Sequence, residues 1–312
     1  MSNLLFSLNI VLPIFLIIGT GYAARQIKLL SEKTVTEINN ATFRIFLPIL
    51  IGRNIMGSEL NASYGGGVFL FVGVGVTALF LLLFFLIPRI EKDPAKRGTL
   101  IQAIGRSNYA IFGVPMVLAI FPDSDASTAS LMVAVTIPLY NILSVVALSV
   151  FSKEKANFAD VIKKVITNPL IIGSLAGLLI LKLHIPLPYI IDRATADMAQ
   201  IASPLALFIL GASFRFDRLK TNLRPLIIGI IGKLVVSPLI ALTIAVQFGF
   251  RGVDLASVML AFGAPTAVSS FTMAQQMGGD AELASAQVIL STAASAVTMF
   301  LFIFVFKQLG YF

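Results

Sequence analysis

The segment Ala103 to Pro115 reads AIGRSNYAIFGVP, and a second segment, Ala264 to Gly279, reads APTAVSSFTMAQQMGG. In the first, Arg106 offers a fixed positive charge, while Ser107, Asn108 and Tyr109 offer hydroxyl and amide donors. In the second, Thr266, Ser269 and Ser270 offer further hydroxyls next to Pro265. A guanidinium surrounded by neutral donors suits recognition of a carboxylate or another small anion. Neither cluster has paired carboxylates for a metal, or a nucleophile beside a base, so the chemistry they imply is binding rather than catalysis, and no enzyme activity is expected. No cofactor and no resident metal are expected. If sodium took part, Asn108, Gln275 and Gln276 with nearby carbonyls would be its ligands.

The elements that must position these groups are membrane spans. Of 312 residues, 57% are hydrophobic and 12% charged, whereas a soluble domain carries about 25% charged residues. The apolar residues gather in blocks of about 20, enough for a helix to cross a hydrocarbon layer of roughly 30 Å. Barrel strands would instead give shorter, alternating segments. The formal charge of +8 comes from short basic clusters between these blocks, as membrane topology requires, so nucleic acid is not an expected partner and the lipid bilayer is. There is no cysteine, hence no disulfide. The first block, Leu4 to Ala24, follows an uncharged MSN and is expected to be retained as a span rather than cleaved as a signal peptide.

Ten spans are predicted, at about residues 4–24, 34–56, 64–88, 98–121, 127–151, 166–183, 190–214, 225–248, 254–277 and 281–306. The links that hold Arg25/Lys28/Lys33, Arg89/Lys92/Lys96/Arg97, Lys153/Lys155/Lys163/Lys164 and Arg215/Arg218/Lys220/Arg224 are basic, against Arg53, Lys182, Arg193, Arg251 and Lys307 on the other side. The positive-inside rule then places the four basic links in the cytoplasm and both termini outside the cell membrane.

Pro13 and Pro48 are 35 residues apart, as are Pro169 and Pro204, and the two pairs repeat at an offset of 156 with similar flanking text. Five spans per half is an odd number, so the second half would insert upside down, the inverted-repeat plan of many secondary transporters. The polar clusters then fall in spans four and nine. FGVP at Phe112 matches FGAP at Phe262 by letters, but depth aligns Ser107-Asn108 with Pro265-Thr266, both about 15 Å into their spans. Both spans are expected to break there and to cross. Such breaks survive only where protein or water supplies hydrogen bonds, and half-helix N-termini at a break present positive dipole ends. All fifteen Asp and Glu lie in links or at span ends, so a backbone carbonyl or the cargo is expected to neutralise Arg106. Arg44 and Lys233 are expected to snorkel towards the cytoplasmic face. The single histidine, His184, is expected on the surface.

Three motifs, INNATFRIFLPILI (Ile38 to Ile51), SNYAIFGVP (Ser107 to Pro115) and APTAVSSFTMAQQMGGDAELAS (Ala264 to Ser285), resemble the auxin efflux carrier family, which includes plant auxin exporters and bacterial carriers called malate or malonate permeases. The resemblance spans nearly the whole chain. It implies a fold like that of the bile acid sodium symporters, all-α, with ten helices in two inverted five-helix repeats and with helices four and nine crossed. It also implies a homodimer and an elevator cycle, in which a transport domain (residues 61–165 and 215–312) slides against a scaffold (residues 1–60 and 166–214). Plant members often have Pro-Asn where this chain has Ser107-Asn108, and the short link from Phe151 to Pro169 lacks their long hydrophilic loop. The expected function is therefore a secondary transporter of small organic anions, dicarboxylates or auxin-like carboxylates, with export driven by the membrane potential. Sodium-coupled symport and anion sensing without flux stay open as alternatives.

Overall fold

In the computed structural model the described residues are 2–58, 66–121, 127–152, 157–215 and 222–312. They are helical, with one isolated β-bridge and no strand among them. The elements run α1 (Ser2–Gln26), α2 (Glu32–Ala41), α3 (Leu47–Met56), α4 (Gly67–Ile90), α5 (Pro94–Gly105), α6 (Tyr109–Ile120), α7 (Ser127–Val150), α8 (Phe158–Ile166) and α9 (Pro169–Leu183). They continue with α10 (Tyr189–Ser213), α11 (Leu223–Ile231), α12 (Ser237–Gln247), α13 (Gly252–Gly263), α14 (Ser269–Met277) and α15 (Ala281–Gln308). By length and composition, five helices among the described residues can cross a membrane alone, or six with the bent α8–α9 pair taken as one. The protein is a multi-pass membrane protein. The start expected for the third span, at residue 64, and Lys153, Lys155, Arg218 and Lys220 lie outside the described residues.

Two further predicted spans are irregular in the backbone. Between α2 and α3, Thr42–Phe46 forms a π-helical turn, and between α11 and α12 so does Gly232–Val236. Each is followed by a proline at the second position of the next helix, Pro48 or Pro238. Proline has no amide to offer the ladder, and the preceding amide reaches back five residues, Leu47 to the Thr42 carbonyl and Ser237 to the Gly232 carbonyl. Such widened turns recur at functional sites.

The expected sixth span is shorter than predicted, because the chain bends by 54° between α8 and α9. Asn157 and Asp160 close a capping box that starts α8. Asn168 precedes Pro169, is extended (ψ 125°), and accepts a hydrogen bond from the Leu170 amide at 2.9 Å, so it ends one helix and caps the next.

Helix is interrupted within both polar segments where a break was expected. Residues 106–108 separate α5 from α6, and residues 264–268 separate α13 from α14. The half-helices α5 and α13 occupy the centre, where every residue from Gly98 to Gly105 and from Leu255 to Gly263 is buried. The outer helices expose apolar side chains instead, such as Leu70, Leu81 and Phe85 on α4, as lipid contact allows.

Helices α1 and α10, and likewise α3 and α9, meet through glycine. A Cβ on Gly21 would lie 1.9 Å from the Phe208 carbonyl oxygen, and one on Gly211 would lie 1.9 Å from that of Ile18. Backbones approach this closely in membranes only over small residues. Gly21→Ala should therefore cost about 1 to 3 kcal/mol, measured as a lower melting temperature of the purified protein in detergent. Gly19→Ala, whose Cβ meets nothing within 4 Å, should leave melting unchanged. Equal melting of the two variants would contradict the contact.

Candidate functional site

The two breaks lie against each other. Ser107 and Thr266 form an isolated antiparallel bridge, and the Asn108 amide donates to the Pro265 carbonyl at 2.8 Å. The carbonyls left open where the half-helices end are taken up by hydroxyls. Thr266 Oγ1 donates to Ala103 O at 2.9 Å, and Tyr140 Oη donates to Ala261 O at 2.6 Å. Ser107 Oγ also donates to Ala261 O. The Thr266 amide donates to Ser291 Oγ at 3.2 Å, and Gln102 Nε2 to Ser270 O at 3.0 Å. The crossing is thus a small hydrogen-bonded sheet substitute inside a helical protein.

A cavity of about 190 Å³ opens beside it. Arg106, Ser107, Asn108 and Tyr109 line it from one break, Ala267, Val268 and Ser269 from the other, and Asn54, Tyr140 and Ser203 complete its polar wall. A cavity of about 150 Å³ holds benzene, so this volume suits a small organic acid. The starts of α6 and α14 both contribute to the lining, and neither has a side-chain cap. The first amides of a helix have no intrahelical partner, so these two ends turn positive dipole ends towards the cavity.

Of the expected site residues, Arg106, Ser107, Asn108, Tyr109 and Ser269 come together at the cavity. Thr266 and Pro265 lie behind the wall and hold the crossing itself. Ser270 is buried, with its carbonyl bound by Gln102. Gln275 is hydrogen-bonded by the Asn39 amide and lines a second cavity of about 210 Å³, with Arg25, Glu32 and Arg215. Gln276 is partly buried on α14 and lines neither cavity. His184 ends α9 on the surface with φ 49°.

Arg106 is only 4% exposed. Of the two expected neutralisers, a backbone carbonyl or the cargo, the carbonyl is not the partner: the guanidinium donates to Ser269 Oγ at 2.7 Å and to the Met273 sulfur. A thioether is a weak acceptor, and no carboxylate among the described residues pairs with Arg106. The Asn108 side-chain amide makes no hydrogen bond to a described residue.

Lys233 overturns a second expectation. It does not snorkel: it is fully buried, and its ammonium donates to Ser107 Oγ. The π turn at Gly232–Val236 carries it inward. It lies eight residues after Pro225, about 12 Å along a helix, a depth that a snorkelling stem does not span, and that was the signal available in the sequence. Arg44, in the other π turn, is exposed. Tyr140 and Gln102 were not singled out by sequence, because a single polar residue in a span has no pattern around it.

Ser107→Ala should strand the Lys233 ammonium in the core and cost about 3 kcal/mol or more. Ser107→Ala combined with Lys233→Met should recover most of that loss, because both polar partners are then gone. Thermal melting of the purified variants measures both, and a double variant as unstable as Ser107→Ala would rule out the pairing.

The family model described as "Membrane transport protein" matches residues 6–303. A Rhizobium meliloti protein named "Putative malonate transporter" is 24% identical over 300 residues, covering 93% of each chain. An "Uncharacterized transporter" from Methanothermobacter thermautotrophicus is 22% identical over 301 residues, covering 94% of this chain and 96% of that one. A similarly named protein from Methanocaldococcus jannaschii is 22% identical over 309 residues.

Proposed function

Because the chain belongs to the membrane transport protein family, the auxin efflux carrier family that its motifs resemble, we propose that it is a secondary carrier of small organic anions that binds its cargo at the crossing. It is a transporter, not an enzyme. The observation that carries the cargo class is a buried Arg106 without a carboxylate partner, next to an unengaged Asn108 amide, on one cavity wall. A buried charge without an opposite charge is costly, and a bound carboxylate would supply one. Asn108, Tyr109 and Ser269, with the uncapped ends of α6 and α14, would orient it, and Thr266, Pro265 and Ser270 would hold that geometry from behind. The name of the Rhizobium relative supports a dicarboxylate over an aromatic acid.

The reading extends to architecture. Taking α5 with α6 and α13 with α14 as single interrupted spans, and α2–α3 and α11–α12 as single spans with π turns, would give ten spans, which we read as two inverted five-helix repeats. Residues 1–60 and 166–214 would form the scaffold, and the glycine contacts of α1 with α10 and of α3 with α9 support that grouping. Residues 61–165 and 215–312 would form the moving core of an elevator. The two cavities support alternating access. Ala206 lines one and Ala212 the other, six residues apart on α10, or about 9 Å. The basic links set the orientation in the cell membrane, with both termini outside, and a homodimer completes the proposal.

Coupling follows from where the candidate ion ligands sit. Asn108 and Gln275 line different cavities, which favours transport without sodium. Each net negative charge exported down a potential of 100 mV, inside negative, gains about 2.3 kcal/mol, enough for a roughly fifty-fold gradient.

Asn108→Ala should abolish the thermal shift that malonate gives the purified protein while leaving the protein folded, and an unchanged shift would remove Asn108 from the site. In proteoliposomes, Arg106→Gln should weaken flux of charged cargo by about ten-fold or more, and weaken uncharged analogues far less. Equal losses would make the guanidinium structural. Flux should follow an imposed potassium diffusion potential and ignore a sodium gradient; the reverse result would sink the uncoupled reading.

A further inference from the structure

Helix α8 has no part in the crossing or in either cavity. None of its nine residues is buried, yet its sequence, FADVIKKVI, is strongly two-sided. At about 100° per residue, Phe158, Val161, Ile162, Val165 and Ile166 occupy an arc of about 140°, flanked by Lys163 on one edge and Lys164 on the other, with Asp160 opposite. Phe158 is 81% exposed and Ile166 64%. Only Val165 leans on the protein core. In water such a face would have no reason to form.

Two further observations identify what covers it. The next helix, α9, likewise exposes Ile172, Leu175 and Leu179, as a lipid-facing span does, and the 54° bend turns α8 away from the direction of α9. The charges fit as well, since Lys163 and Lys164 form no ion pair with a described residue. Lysines at both edges of an apolar arc bury their stems in the acyl boundary and hold their ammonium groups at the level of lipid phosphates. We propose that α8 lies in the membrane interface as a binding surface for anionic phospholipid, at the junction of the two halves of the chain. The proposal rests on the membrane character of the protein and is independent of the cargo.

The chain has no cysteine, so Ile162→Cys creates a single site for an environment-sensitive fluorophore on the full-length protein. The labelled protein would be reconstituted into vesicles of phosphatidylcholine alone, or with about one third phosphatidylglycerol. In the anionic vesicles, nitroxide-bearing lipid should quench the probe and aqueous iodide should not. Lys163→Gln with Lys164→Gln should lower the ratio of inserted to water-exposed probe by about thirty-fold, at roughly five-fold per lysine, and restore iodide access. Because these side chains lie outside the core, melting should stay unchanged. Iodide quenching in both kinds of vesicle would overturn the proposal, since α8 would then sit in water. Lipid quenching that is equal in phosphatidylcholine and insensitive to the lysines would overturn the role of anionic lipid. Shielding from both quenchers would place α8 against protein and overturn it too.

Discussion

Two interrupted helices inside a membrane protein must find partners for the peptide groups that the interruption exposes, because hydrocarbon offers none. Here the breaks solve this largely for each other. Ser107 bridges Thr266, the Asn108 amide finds the Pro265 carbonyl, and three hydroxyls, from Ser107, Tyr140 and Thr266, cover the carbonyls at the ends of α5 and α13. The other ends, the starts of α6 and α14, are left without side-chain caps where the cavity opens. The same break that would destabilise an isolated span thus yields both a rigid crossing and an electropositive wall.

That division places the polar residues in two ranks. Thr266, Gln102 and Tyr140 hold backbone, and removing them would loosen the crossing. Arg106, Asn108 and Ser269 face space. Lys233 stands between these ranks: its ammonium touches the hydroxyl of Ser107, which itself bridges to α13 and lines the cavity. Two basic side chains, Arg106 and Lys233, thus lie next to the crossing with no carboxylate among the described residues paired to them. Partial compensation comes from the C-terminal ends of α5 and α13, whose dipoles favour positive charge.

The periphery obeys a different constraint. Outer helices need only apolar side chains towards lipid, so their sequences tolerate a phase in which Leu70, Leu81 and Phe85 point outward. Where such helices must pack tightly, glycine replaces bulk, as at Gly21 and Gly211. The short amphipathic α8 belongs to neither regime, being too short to cross and too apolar on one side for water.

Membrane character, the positions of most helices and the two interrupted segments were legible in the sequence, because blocks of about 20 apolar residues with a proline or a polar run inside them have few physical outcomes. The grouping of Arg106, Asn108 and Ser269 was legible for the same reason: polar atoms at one depth must meet or be solvated. Local periodicity could not decide how neighbouring helices satisfy one another. The inward turn of Lys233 depends on a π turn whose direction is set by packing against Ser107. The separation of Gln275 from Asn108 depends on which face of α14 meets Asn39. The partition of Thr266 behind the wall and Ser269 on it depends on a turn of a few residues between 264 and 268. Composition and spacing determine that a polar crossing exists within the bilayer, since burying unpaired peptide groups is prohibitive. Which side chain ends on the cavity and which in the wall is decided only when the helices pack, because that choice is made by contacts between residues more than a hundred positions apart.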